Sequence, residues 1–179
     1  YSSHLRRPLI DRYAWRVPWT LDTSAMNHAA QHLIGEHDFT SFAASDGSHK
    51  TAVRHLDSIS IEEAGDETLF KFRGRAFLKQ MVRNLVGTLV DVGRGHRCAD
   101  HTQTVLAAKN RQCAGPTAPA RGLTLVEMLM ERDPASKEKI RILKERSVVK
   151  RKAKGRRKST LDGHPFPAQS RMLAHRRNR

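Results

Sequence analysis

The stretch FLKQMVRNLVGTLVDVGRG, residues 77–95, constrains the fold more than any other part of the chain. Its apolar side chains fall at 78, 81, 82, 85, 86, 89 and 90, a four-residue rhythm that lines one wide stripe of an α-helix. The spacing predicts a single helix over 78–92, packed on a sheet through Met81, Val82, Leu85 and Leu89. Lys79, Arg83 and Gly87 then share another face of that helix. A glycine in mid-helix costs about 1 kcal/mol relative to alanine, so another backbone or a ligand is expected close to Gly87. Lys79 and Arg83 read either as a solvated face or as a binding one.

Strand and helix patterns alternate around this segment. RYAWRVPW (12–19) reads as a strand with Tyr13, Trp15 and Val17 on one face. Residues 20–38 read as a helix capped by Asp22 or Ser24, with Met26, Ala29, Ala30, Leu33 and Ile34 inward and Gly35 ending it. Residues 53–63 and 68–77 alternate as two strands of a hairpin, joined by the turn-like AGDE at 64–67. Residues 101–111 form a short amphipathic helix, 116–122 a loop and 123–130 a last buried strand, before Asp133-Pro134 closes a body spanning 1–134. The result is an α+β body.

The charge lies elsewhere. Residues 135–179 hold 16 lysines and arginines against 3 acidic residues, leaving 17 against 15 in the body. The segment KERSVVKRKAKGRRK (144–158) has no aromatic and few aliphatic residues and cannot build a core alone, so it is a solvated arm or an arm bound to something anionic. Nucleic acid is the expected partner, because rows of basic side chains gain affinity by displacing counterions from phosphates. The candidate RNA-binding residues are Lys144, Arg146, Lys150, Arg151, Lys152, Lys154, Arg156, Arg157 and Lys158. A basic helix over KEKIRILKERSVV is expected, with an extended chain beyond Gly155.

Other classes are excluded or weak. No run approaches the roughly 18 apolar residues of a membrane-spanning helix, so no membrane partner is expected. Two cysteines, Cys98 and Cys113, are too few for a disulfide framework and suit a reducing compartment. The chain opens on Tyr1, so an upstream segment is expected to have been cleaved, to belong to another polypeptide or to lie outside this sequence. His96, Cys98, His101 and Cys113 fit no common zinc spacing. His28 and His32 share a helix face and could supply two ligands, but no third is evident, and they read as polar surface. No metal and no cofactor are expected.

Four blocks carry a resemblance: GEHDFTSFAASDG (35–47), KTAVRHLDSISI (50–61), FLKQMVRNLVGTLVDVGRG (77–95) and TAPARGLTLVEM (117–128). In order and spacing they resemble the C-terminal half of the tRNA pseudouridine synthase A family, across most of residues 1–130. The resemblance implies a mixed, mostly antiparallel sheet with helices on one face, facing an RNA-binding cleft, in enzymes that isomerise uridine to pseudouridine without a cofactor. The arginine of the family's MVRN block pairs with a catalytic aspartate and maps onto Arg83; a leucine of the GLxL block lines the uridine pocket and maps onto Leu123. Lys79 and Arg54, with Leu123, complete the substrate-binding set implied by the matched blocks. Residues 78–80 read LKQ where LRH or VHH is common in the family.

The family's nucleophile sits in a GRTDxG motif of its N-terminal half, and this sequence contains no such motif: Asp11, Asp38, Asp46 and Asp57 stand in other contexts. The family's substrate-stacking tyrosine also lies upstream of the matched region, and Tyr1 is not assigned to it. A carboxylate must attack the nucleotide while the glycosidic bond breaks, and arginine beside it would keep it ionised. Arg83 alone cannot do that chemistry, so the chain is not expected to be active by itself. One reading is an RNA-binding structural subunit of a large ribonucleoprotein, such as a mitochondrial ribosome, with the basic tail on rRNA and other subunits as partners. The other is one half of a working tRNA or rRNA pseudouridine synthase, with the aspartate supplied by a separate N-terminal half. The first places the chain in the mitochondrial matrix or another organelle, with the cytoplasm as the alternative.

Overall fold

Helix α3, Met81–Gly93, forms where the apolar rhythm demands it and is buried over most of its circumference. The computed structural model describes residues 1–47, 50–129 and 138. The chain divides into two units, Tyr1–Val126 and Glu127–Arg179, and the second is described only at residues 127–129 and 138. In the first unit the other helices are α1 (Pro8–Asp11), α2 (Thr23–Gln31) and α4 (His101–Ala108).

Three strands, β1 (Gly35–Asp38), β2 (Val53–Ala64) and β3 (Glu67–Gly74), make an antiparallel sheet in the order β1-β2-β3. Ala64 pairs with Glu67, leaving Gly65 and Asp66 as the hairpin turn, and Gly65 has φ +61°, a conformation that favours glycine in two-residue turns. In β2 the buried residues are Leu56, Ile59 and Ile61, which breaks strict alternation. An irregularity between Leu56 and Ser58 explains it: one extra residue switches which parity faces the core.

Helix α2 starts at Asp22, whose carboxylate accepts the Ala25 N–H at 2.9 Å. It buries Met26, Ala29 and Ala30, with Leu33 just beyond, against β2 and α3. A Cβ on Gly93 would lie 2.6 Å from Met26 Sδ, so a bare backbone is what lets α2 cross the end of α3. Phe39, Phe42, Leu56, Met81, Leu85, Leu89 and Val105 complete one core. The α+β class and the mostly antiparallel sheet with helices packed on it agree with the sequence expectation.

Several boundaries differ. Residues 12–19 form no strand: Pro8 opens α1, Tyr13 N–H bonds back to Ile10 and its side chain turns outward to 72% exposure. Only Val17 is buried, in a lone parallel bridge with Ser2. Helix α2 ends at Gln31, a turn before the Gly35 stop that the sequence implies, and Gly35 at φ +110° opens β1. Helix α3 starts at Met81 rather than 78, because Gln80 adopts φ +59°, so Lys79 is not on its surface. Helix α4 stops at Ala108, where Lys109 turns left-handed at φ +47°. Residues 123–129 form no strand, and Leu123, Leu125, Val126 and Met128 are exposed; among the described residues no strand pairs with this run, and unpaired alternation cannot hold a strand.

Candidate functional site

Arg83 lies in the first turn of α3, half-buried, and is fixed in both directions to one loop residue. Its Nε donates to the Ala118 carbonyl at 2.6 Å, and the Ala118 N–H donates to the Arg83 carbonyl at 3.1 Å. One turn further on, a Cβ at Gly87 would lie 1.7 Å from the Pro116 oxygen. The close backbone expected at Gly87 is therefore that of Pro116. The face bearing Arg83 and Gly87 is not a solvated one; residues 114–118 run along it.

A buried polar network holds that loop. Asn84 is fully buried; its Nδ2 donates to the Phe42 carbonyl at 2.7 Å, and its Oδ1 accepts from Arg111 at 3.0 Å and from the Thr117 hydroxyl at 2.6 Å. Arg111 also donates to Thr117 Oγ1 at 2.9 Å and to the Gly115 carbonyl at 2.9 Å, and Gly115 N–H donates to the buried Thr88 hydroxyl at 2.9 Å. Leaving the buried Asn84 or Thr88 side chain unsatisfied costs about 1–3 kcal/mol. Sequence alone does not single out Asn84, Arg111 and Thr117. The one signal it carries is an asparagine interrupting the apolar run of the helix.

With Nε committed to Ala118, the terminal nitrogens of Arg83 have no hydrogen-bond partner among the described residues. A guanidinium held in this way presents a fork of donors matched to a carboxylate or a phosphate. No described aspartate occupies it. Asp11 pairs with Arg6 at 2.7 Å, Asp46 with Lys79 at 2.6 Å, Asp38 with Lys109 at 2.9 Å and Asp57 with His55 at 3.2 Å. The hydrogen bond from Arg6 holds the Asp11 carboxyl below its usual range, and that from Lys79 does the same for Asp46. The Thr40 hydroxyl, followed by Lys109, pulls Asp38 down to about 2. All three are ionised partners of other side chains.

The remaining implied binding residues are dispersed. Leu123 is half-exposed and follows the turn Ala120–Gly122, on the loop that Arg83 anchors. Lys79 is exposed and tied to Asp46. Arg54 donates to the Thr51 and Val53 carbonyls at 2.8 and 2.7 Å, so it braces the entry to β2. No hydrogen bond among the described residues joins Lys79 or Arg54 to Arg83. The candidate RNA-binding residues from Lys144 to Lys158, and the basic helix expected around them, lie outside the described residues. A cavity of about 330 Å³ is lined by His32, His37, Asp38, Gln103, Leu106 and Ala107, not by Arg83.

The tRNA pseudouridine synthase family model matches residues 29–129, which take in α3, Arg83 and the anchored loop. The chain belongs to the tRNA pseudouridine synthase family. It is 47% identical over 133 residues to tRNA pseudouridine synthase A of Myxococcus xanthus, covering 74% of this chain and 50% of that protein. To the synthase A of Syntrophotalea carbinolica it is 44% identical over 128 residues, 72% of this chain and 51% of the relative. To that of Brevibacillus brevis it is 48% identical over 118 residues, 66% and 48%. The chain spans about half the length of the curated relatives it matches. Among the described residues, no helix is long and apolar enough to cross a membrane.

Proposed function

We propose that this chain supplies the arginine-bearing half of a tRNA pseudouridine synthase site, whose nucleophilic carboxylate comes from a segment outside this sequence. The observation that carries the reading is the Arg83–Ala118 lock, which fixes the guanidinium while leaving its terminal donors free among the described residues. In this role Arg83 holds the incoming carboxylate ionised and oriented, and the carboxylate attacks the nucleotide as the glycosidic bond breaks. The exposed apolar side chains Leu123, Leu125 and Val126 support a second segment packing beside the anchored loop. The relatives' name supplies tRNA as the substrate class.

The test is tritium release from tRNA labelled at C5 of its uridines, since that carbon loses its hydrogen when it bonds to the ribose. The 179-residue chain alone should release none. Mixed with the segment of the Myxococcus xanthus relative that this chain does not cover, it should release tritium, and Arg83→Ala should abolish release while leaving the fold intact. Turnover by this chain alone, or an Arg83→Ala mixture as active as the parent, would overturn the proposal. A second reading, an RNA-binding subunit of a ribonucleoprotein such as a mitochondrial ribosome, is favoured by the net +13 of residues 135–179. It predicts tight rRNA binding and no turnover in any mixture.

A further inference from the structure

Helices α2 and α4 bring together three side chains that take no part in the site around Arg83. His28 and His32 stand one turn apart on α2, with ring centroids 5.5 Å apart. Asp100 occupies the position before the first turn of α4, where an aspartate ordinarily accepts backbone N–H groups. Here its side chain caps nothing. Instead its Oδ1 lies 3.4 Å from His32 Nε2. One ligand atom from each of the three residues lies within 4.8 Å of the others, the only such group of histidine, cysteine or acidic side chains among the described residues.

The geometry points to a site for a late first-row divalent cation, with Zn2+ the expected occupant, held by His28, His32 and Asp100. Metal–ligand bonds of about 2.0–2.1 Å at a tetrahedral centre place neighbouring ligand atoms about 3.4 Å apart, the spacing between His32 and Asp100. His32 Nε2 is shielded from solvent yet makes no hydrogen bond, the carboxylate beside it included. Two potential ligand atoms at this spacing that do not hydrogen-bond each other are placed to share a cation. Two imidazoles and one carboxylate favour Zn2+, Co2+, Ni2+ or Cu2+ over Mg2+ and Ca2+, which prefer all-oxygen shells. Three protein ligands leave a fourth position to water.

The scaffold is rigid where the ligands attach. Thr102, fully buried on the first turn of α4, donates to the Ala29 carbonyl at 2.9 Å, and Ala29 lies between the two histidines on α2. That bond sets the register of Asp100 against His28 and His32. The cation would tie α2 to α4 across residues 33–99. His96, Cys98, His101 and Cys113 do not converge as ligands; Arg97 donates to His101 Nε2 at 2.8 Å instead.

The experiment titrates the full 179-residue chain with Co2+ and then Zn2+. Co2+ should give a visible ligand-field spectrum that saturates at one equivalent and is displaced by Zn2+. His28→Ala, His32→Ala and Asp100→Asn should each weaken binding by at least about tenfold, the scale by which even outer-shell partners alter metal affinity. His28 and Asp100 are exposed, His32 is half-buried, and the Asp100 side chain makes no capping bond that Asn would lose, so the variants should fold. Zn2+ should raise the thermal midpoint of the parent, because a ligand that binds the native state stabilises it, and at the same Zn2+ concentration should raise that of Asp100→Asn less. Absence of any Zn2+-dependent shift in the parent would overturn the site. So would an Asp100→Asn variant that binds as tightly as the parent, since the helix histidines would then act without a third ligand.

Discussion

Gly87→Ala tests whether the face of α3 that bears Arg83 is a backbone contact or an open surface. On an open helix face the change should stabilise, because alanine is favoured over glycine by about 1 kcal/mol in a helix interior. Here the new Cβ would fall 1.7 Å from the Pro116 oxygen and 2.8 Å from its carbonyl carbon. Both are backbone atoms, so no side-chain rotation relieves the overlap, and the 114–118 loop must move. Overpacking of this kind costs about 1–3 kcal/mol. Displacing the loop also strains the bonds from Ala118 N–H to Arg83 and from Gly115 N–H to Thr88, each worth about 1 kcal/mol. After the gain in helix propensity, a net loss of about 2–4 kcal/mol is expected. Urea unfolding followed by circular dichroism measures it. Gly95→Ala is the control: nothing lies within 4 Å of its added Cβ, and its φ of +71° makes the cost conformational, about 1–2 kcal/mol. A Gly87→Ala protein as stable as the parent would refute the close approach and with it the account of how Arg83 is positioned.

Two further outcomes follow from charge. Asp38, held at about 2 by Thr40 and Lys109, contributes stability that is complete above its unfolded value near 3.9 and is lost as pH falls from there through 2; Asp38→Asn should cost about 1 kcal/mol at pH 7, and urea midpoints should show that gap closing between pH 4 and pH 2. Deleting residues 135–179 removes a net +13 and leaves +2, so the slope of log affinity for tRNA against log salt should flatten by about 0.7–0.9 for each phosphate that the tail neutralises; an unchanged slope in a binding titration would show that the tail is not an RNA anchor.

Where the sequence reading succeeds, the determining forces are local. The 3.6-residue rhythm of residues 81–90 needs only a core to face, and the hairpin of β2 and β3 is set by alternation plus Gly65 at its turn. Where it fails, the decision lies with residues far along the chain. RYAWRVPW and LTLVEMLM alternate as strands do, but alternation is satisfied only if a neighbouring strand offers its N–H and C=O groups, and neither run finds one among the described residues. Helix α3 starts three residues later than its apolar spacing implies, because Gln80 takes a left-handed conformation that such spacing does not encode.

The candidate site shows the same division. Arg83 can be singled out because a cation in an apolar helix is anomalous by itself, and Gly87 because a mid-helix glycine implies a close neighbour. Nothing local shows that the neighbour is Pro116, or that Asn84, Arg111 and Thr117 satisfy one another, since those hydrogen bonds join residues 27 and 33 positions apart. Asp100 cannot be matched to His32 from sequence for that reason either: the pairing depends on the bond from Thr102 to Ala29, which crosses 73 positions. Arg83, fixed to Ala118 and with terminal donors unpaired among the described residues, is where the proposed carboxylate from outside this sequence would sit. The His28, His32 and Asp100 group needs no such contribution, because both helices that build it belong to this chain.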